Sequence, residues 1–220
     1  MATHSASSSA AEELRLWLAT WLAPNGFLIL IEPALRELSR DLLLVRDRLL
    51  DILPLTVYSP CVHSLPCPAV GPGCVSDWCH EDQSWQAPEW IRQIDERIGL
   101  RKSSLKYSYV VLTRTGLSVR DVAPEATSLS SPEPGTQSRV WRVVSERLEE
   151  RGKSVAYLCG MEGRHRVTRL DKHASSVNAD FGLLGRGQTV STGPLELRGL
   201  ERRVESGTPV RILTGRPERC

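Results

Sequence analysis

The segment Gly-Phe-Leu-Ile-Leu-Ile-Glu-Pro at residues 26–33 decides the fold class, because five consecutive apolar residues stand between two chain-breaking signals. A short run that is apolar on both faces is typical of a buried strand in a parallel sheet. Apolar residues at helical spacing precede it at 14–22 and follow it at 35–49, and a further strand is predicted at 55–58. This alternation of helix and strand indicates an α/β unit with a parallel sheet.

The length and composition allow one domain with a small additional module. The chain has 220 residues, of which 40% are hydrophobic and 25% are charged, and its formal net charge is +2. It contains no apolar run of about 18 residues, so no membrane-spanning segment is expected. The N-terminal region has neither the apolar core of a signal peptide nor the arginines of a transit peptide, which predicts a cytoplasmic, bacterial-type location.

Three regions follow from the pattern. Residues 1–117 are predicted to form the α/β domain, interrupted by a cysteine-rich loop at 59–87 and continued by a short helix after Pro88 and a strand at 107–113. Residues 118–138, rich in Ser, Pro, Thr and Glu, are predicted to be a linker or exposed loop. Residues 139–220 carry short strands separated by turns, which indicates a small β-rich, sandwich-like or barrel-like subdomain. Its strands are predicted at 139–145, 153–159, 164–170, 194–198 and 208–213.

Clustered cysteines are the main functional signal. Four of the six lie at positions 61, 67, 74 and 79, and Cys159 ends a predicted strand. In a reducing compartment such thiols favour metal binding over disulfides, and four thiolates complete a zinc site or an iron–sulfur cluster. The cysteine spacings match neither the C-x2-C pair of zinc ribbons nor the C-x2-C-x2-C run of bacterial ferredoxins. Inert buried thiols, three disulfides in a secreted protein, and a redox pair of Cys74 and Cys79 are the alternatives. His63 and His80 are either additional ligands or ordinary surface or hydrogen-bonded histidines.

The order Cys61-Val-His-Ser-Leu-Pro-Cys67-Pro, then Trp78-Cys79-His80, then a Tyr-Ser-Tyr-Val strand ending at Arg114, resembles the methyltransferase-like ribosomal small-subunit proteins. That family includes mitochondrial ribosome assembly factors and bacterial relatives, and the resemblance extends over residues 17–190. It implies a class I, Rossmann-like, S-adenosylmethionine-dependent methyltransferase fold that carries a four-iron cluster. The ligands it implies are Cys61, Cys67, Cys79 and Cys159. Cys74 is then an extra thiol or an alternative ligand, and Cys220 has no counterpart. Val62 and Glu81 depart from the family pattern without removing a ligand.

The resemblance covers only the C-terminal part of such a methyltransferase. No glycine-rich turn follows a strand before residue 27, so S-adenosylmethionine binding is expected only if an N-terminal half is supplied. A shortened gene product, a separately encoded half and a reduced non-catalytic module are the three explanations, and enzymatic activity is left open. The chain as given is expected to leave the strand at 27–31 with an unpaired edge unless something covers it.

The β-rich region is locally basic, with nine Lys or Arg against five Asp or Glu over residues 139–172. The resemblance places rRNA phosphate against these cations, and the alternative is a solvated strand face. The predicted function is therefore a methyltransferase-like protein of the small ribosomal subunit that acts in translation or ribosome assembly. The alternative function is a non-catalytic interaction module stabilised by an iron–sulfur cluster or by zinc. The candidate nucleic-acid-binding residues are Arg139, Arg142, Arg164, Arg166, Arg169 and Lys172.

Overall fold

The computed structural model describes residues 2–100, 103–122 and 139–214, with side chains for 9–100, 103–121 and 139–214. Most of the predicted linker, residues 123–138, and Cys220 lie outside the described residues, and 119–122 form a short helix. The helices are α1 (Ala2–Trp21), α2 (Arg36–Ile52), α3 (Glu89–Arg97) and α4 (Val119–Val122). The strands are β1 (Phe27–Pro33), β2 (Thr56–Ser59), β3 (Glu81–Ser84), β4 (Ser104–Thr113), β5 (Arg139–Val143), β6 (Leu148–Glu150), β7 (Lys153–Gly160), β8 (Gly163–Leu170), β9 (Thr189–Thr192), β10 (Glu196–Arg198), β11 (Glu201–Val204) and β12 (Val210–Thr214).

The first sheet has the order β1-β4-β2, and β3 pairs with the other end of β4. Helix α2 carries the chain from β1 to β2, and both strands run in the same direction because each pairs antiparallel with β4 between them. The expectation of a parallel sheet is therefore wrong for these strands. Strand β4, which follows the cysteine-rich loop in the sequence, lies between β1 and β2.

Strand β1 is not buried on both faces, which corrects a second expectation. Leu28 and Leu30 pack against the core below α1 and α2. Phe27, Ile29 and Ile31, called here the bare face, are 48%, 59% and 62% exposed. Both helices lie on the same side of the sheet, so they leave the alternate side chains of β1 in solvent.

The core of this first unit lies between the two helices and the sheet. Side chains of α2 at helical spacing, Leu42, Val45 and Leu49, meet Val110 and Leu112 of β4. Helix α1 begins at Ala2, well ahead of the apolar residues at 14–22 whose spacing predicted a helix. Among the described residues, no helix combines the length and apolar character that a membrane span requires.

The second sheet has the order β10-β11-β8-β7-β5-β9-β12, with β6 beside β7. It curls around one apolar core, since Val204 near one end and Val210 at the other belong to the same buried cluster as Trp141. The predicted strands at 139–145, 153–159, 164–170, 194–198 and 208–213 each contain a strand. The sequence pattern missed β6, β9 and β11, which are three or four residues long and lie between turns.

Candidate metal centre

A cavity lies where the first sheet, the cysteine-rich loop and the second sheet meet. Its volume is about 50 Å³, and the four predicted ligands line it: Cys61, Cys67, Cys79 and Cys159. Cys74 does not belong to this lining, which separates it from the other described cysteines. All five described cysteines are free thiols. We call this space the cysteine cavity.

The fold delivers each of the four thiols from a different local setting. Cys61 follows β2, and Cys67 lies in the loop with 7% of its surface exposed. Cys79 lies two residues before the start of β3, and its carbonyl oxygen lies 2.7 Å from the hydroxyl of Ser108 on β4. Cys159 is on β7, where the antiparallel register places it beside Arg142 of β5. Cys159 stands 80 positions after Cys79 in the sequence and lines the same cavity.

Polar side chains of α2 hold the loop against the first sheet. Arg46 is completely buried and donates to the carbonyl oxygens of His63 and Leu65 at 2.9 and 3.0 Å. It also pairs with Asp47, whose other carboxylate oxygen accepts from the Cys67 backbone N–H at 2.8 Å. The loop segment between the first two thiols is therefore fixed by one helical turn.

Arg40, six residues earlier on α2, anchors the second half of the loop. It donates to the carbonyl oxygens of Ala69 and Asp77 at 2.9 and 2.7 Å. The contacts of Arg40 and Arg46 with the loop were not predicted from the sequence, although the pattern of α2 contains an indication of them. Ser39, Leu42, Arg46 and Leu49 share one helical face, and a guanidinium among core positions indicates a buried structural contact.

The cavity disfavours charge on unliganded thiols. Burial raises the pKa of the Cys67 thiol to about 12, and the neighbouring Cys61 adds to this effect. Burial also raises the pKa of Cys159 well above its usual range. Thiolates are the ligand form, so binding of a metal centre here must displace the thiol protons.

Both histidines of the loop line the cavity rather than the outer surface. His63 is 6% exposed, and its Nε2 atom lies 3.7 Å from Cys159 Sγ. Burial and the nearby Arg46 lower the pKa of His63, so the neutral imidazole is favoured. His80 stacks on Trp78 at 5.9 Å between ring centroids, and burial with Arg186 lowers its pKa.

The second sheet docks onto the loop through cation contacts. Arg142 pairs with Glu81, Arg164 pairs with Asp77, and Arg186 donates to the His80 carbonyl oxygen at 3.2 Å. These contacts surround the cavity on the side from which Cys159 enters. They make the site a junction between the two sheets.

The six candidate nucleic-acid-binding residues occupy different environments. Arg142 is 3% exposed inside the junction, so its assignment to a phosphate-binding surface is corrected. Arg139, Arg164 and Arg166 form ion pairs with carboxylates of the same chain. Arg169 donates to the Asn178 carbonyl oxygen and lies 5.4 Å above the Phe181 ring. Lys172 is exposed.

The donor set suits a thiolate-bound centre, since four soft sulfur ligands face one small cavity. Over the described ranges, no group of three or more His, Cys, Asp or Glu side chains is arranged to hold a single metal ion.

Comparison with solved structures yields only weak likenesses. The HINb domain of p204 is 13% identical with a TM-score of 0.27, covering 42% of this chain and 47% of that one. A murine DNA-binding protein bound to double-stranded DNA is 11% identical with a TM-score of 0.27, covering 55% and 68%. This chain thus spans about half the length of the HINb domain, and neither likeness supports an inference. No curated protein matches the chain.

The comparison with protein families gives a match over most of the sequence. Residues 9–179 match the family described as mitochondrial small ribosomal subunit Rsm22. The matched range includes the whole cysteine-rich loop and Cys159. It also includes the segment at 26–33, from which the α/β unit was predicted. The chain therefore belongs to the Rsm22 family.

Proposed function

We propose that this chain acts at the small ribosomal subunit as a methyltransferase-like protein whose two sheets are joined by an iron–sulfur cluster. The family's description supports the ribosomal part of this proposal. The observation that carries the cluster is the convergence of Cys61, Cys67, Cys79 and Cys159 on one cavity. A four-iron cluster takes four cysteine thiolates, which is the number present.

The thiols come from segments that meet only in the folded protein, so a bound cluster contributes folding energy. Such a cluster would tie the loop of the first unit to β7 of the second. Its role in this proposal is structural: it fixes the relative position of two surfaces that a ribosomal partner contacts. Zinc bound by the same cysteines is the alternative centre.

Anaerobic purification followed by iron, sulfide and zinc analysis tests the proposal. We expect about four iron and four sulfide per chain, with a visible charge-transfer absorption band. Cys67→Ser and Cys159→Ser should lose iron and destabilise the fold. Cys74→Ser is the matched control, because Cys74 lies in the same loop outside the cavity lining, and it should retain iron. Stoichiometric zinc without iron would contradict the cluster and leave the zinc-stabilised module.

The methyltransferase-like part of the proposal requires a partner half for the first sheet. The unit β1-α2-β2, with both strands in one direction, is the crossover connection of α/β folds. The bare face of Phe27, Ile29 and Ile31 is the apolar surface that such a half would cover. Methyl transfer and S-adenosylmethionine binding are proposed only for the assembly with that half, on the same chain or separately encoded.

Calorimetry with S-adenosylmethionine tests this assembly. The chain alone should give no heat of binding, whereas its complex with the co-expressed upstream product should bind. Ile29→Lys should prevent complex formation, and Ile94→Lys on α3 is a control with comparable exposure. Tight binding of S-adenosylmethionine by the chain alone would refute the requirement for a partner half.

Contact with rRNA is the remaining part of the proposal. Its support is the basic character of residues 139–172, and its residues are Arg139, Arg164, Arg166, Arg169 and Lys172, with exposed Lys172 best placed. Ion pairs within the chain compete with phosphate for most of the others. Filter binding with rRNA at rising salt should show a falling affinity. The Lys172→Glu variant should weaken binding, and affinity independent of salt would exclude phosphate contacts.

A further inference from the structure

Two buried arginines border the cysteine cavity, and neither was placed there by the sequence. Arg46 is 0% exposed on α2, and the Arg142 side chain is 4% exposed on β5. Both line the cavity. Removing a guanidinium from water costs several kcal/mol unless its donors and its charge are satisfied.

Neither arginine is fully satisfied by the protein. Arg46 Nε has no hydrogen-bond partner among the described residues, and the same holds for Arg142 Nε and Nη1. Their charges are partly balanced, because Arg46 pairs with Asp47 and Arg142 with Glu81. Unused N–H groups therefore remain on two side chains that line the same cavity as the four thiols, whose sulfur atoms are weak acceptors while they are protonated.

The two arginines approach different thiols. Arg46 interacts electrostatically with Cys61 and Cys67, whereas Arg142 interacts with Cys159. Arg142 and Cys159 are also register partners on antiparallel strands, so their side chains share one face of the sheet. The two cations thus reach the cavity from opposite units of the protein.

We propose that Arg46 and Arg142 donate hydrogen bonds to sulfur atoms of an anionic iron–sulfur centre in the cysteine cavity and set its reduction potential. This inference rests on the proposed cluster and deepens it. Cysteine thiolates and inorganic sulfides accept N–H hydrogen bonds, and such bonds together with net charge tune cluster potentials. Both residues are positioning residues: they act on the centre without ligating iron.

The test is a spectroscopic redox titration of the anaerobically purified full chain, with dithionite as the electron source. Arg142→Gln should shift the midpoint to more negative potential, because a positive charge beside the cluster favours its reduced form. We expect at least a tenfold change in the reduction equilibrium, which corresponds to about 59 mV for one electron. Arg142→Lys keeps the positive charge, so its midpoint should lie between that of Arg142→Gln and that of the wild type. Arg139→Gln, on the same strand but outside the cavity lining, should leave the potential unchanged.

Glu81→Gln provides a second measurement of opposite sign. It removes the negative partner of Arg142, so the midpoint should move to more positive potential. A purely structural role would change stability in both variants without producing opposite shifts. Suppose that the wild type holds iron but the midpoint is unchanged in Arg142→Gln and Glu81→Gln, or shifts in the same direction in both. This result would overturn the inference about the arginines without contradicting the proposed cluster. Wild type without iron would overturn both.

Discussion

The pair of Arg46 and Asp47 gives the sharpest stability prediction. Asp47→Ala removes the carboxylate that balances a fully buried guanidinium and accepts from the Cys67 N–H at 2.8 Å. Breaking a buried pair by deleting one partner costs about 3–5 kcal/mol. Asp47 is 20% exposed, so water compensates part of the loss, and we expect about 3 kcal/mol.

Urea denaturation followed by circular dichroism measures this loss under anaerobic conditions. Asp51→Ala is the matched control, because Asp51 is an exposed carboxylate on the same helix and should change stability by less than about 0.5 kcal/mol. The double variant Arg46→Met with Asp47→Ala should regain stability, since no unbalanced charge stays buried. A loss below about 1 kcal/mol, or a double variant no more stable than Asp47→Ala, would refute the reasoning.

Three further predictions concern the two sheets. Trp141→Ala should cost about 3–5 kcal/mol in a urea titration, because the side chain is 1% exposed at the centre of the second core, and a smaller loss would mean that the core collapses. Partial burial opposes ionisation of Glu201, but a hydrogen bond from Thr168 and the charge of Arg166 hold its pKa below the usual value. Glu201→Gln should therefore be less stable by about 1 kcal/mol or less at pH 7, and the difference should disappear as the pH falls through the lowered pKa of Glu201 in the folded protein, because both proteins are then neutral at this position; a constant difference would contradict the assignment. Ile29→Ser, at a side chain 59% exposed, should change stability by less than about 0.5 kcal/mol and reduce light scattering at high concentration.

The sequence predicted most elements because their signals are local. Apolar periodicity placed α2, β1 and β4 within a few residues, and turn residues separated the strands of the second sheet. Strand pairing is not local. The insertion of β4 between β1 and β2 depends on the return of the chain after the loop, so an apolar run such as 27–31 could not reveal which neighbour it would meet.

The candidate site shows the same division. Cysteine chemistry together with a family resemblance selected Cys61, Cys67, Cys79 and Cys159, and all four line one cavity. The surroundings were misjudged, because burial is a tertiary property. Arg142 was placed on a basic surface from local charge, yet the register with Cys159 carries it into the junction. The sequence placed His63 in a loop, and the structure shows that this loop residue is buried in the lining of the cysteine cavity.

Synthesis of the chain imposes an order on the junction. Cys61, Cys67 and Cys79 leave the ribosome first, and Cys159 follows 80 positions later. At about 5–20 residues per second, roughly 4–16 s separate Cys79, the last of these three, from Cys159. During that interval the loop carries an incomplete set of thiols and no second sheet to close over them. The junction is therefore completed late in the synthesis of the chain. Factors that protect free thiols would have to act before β7 has left the ribosome.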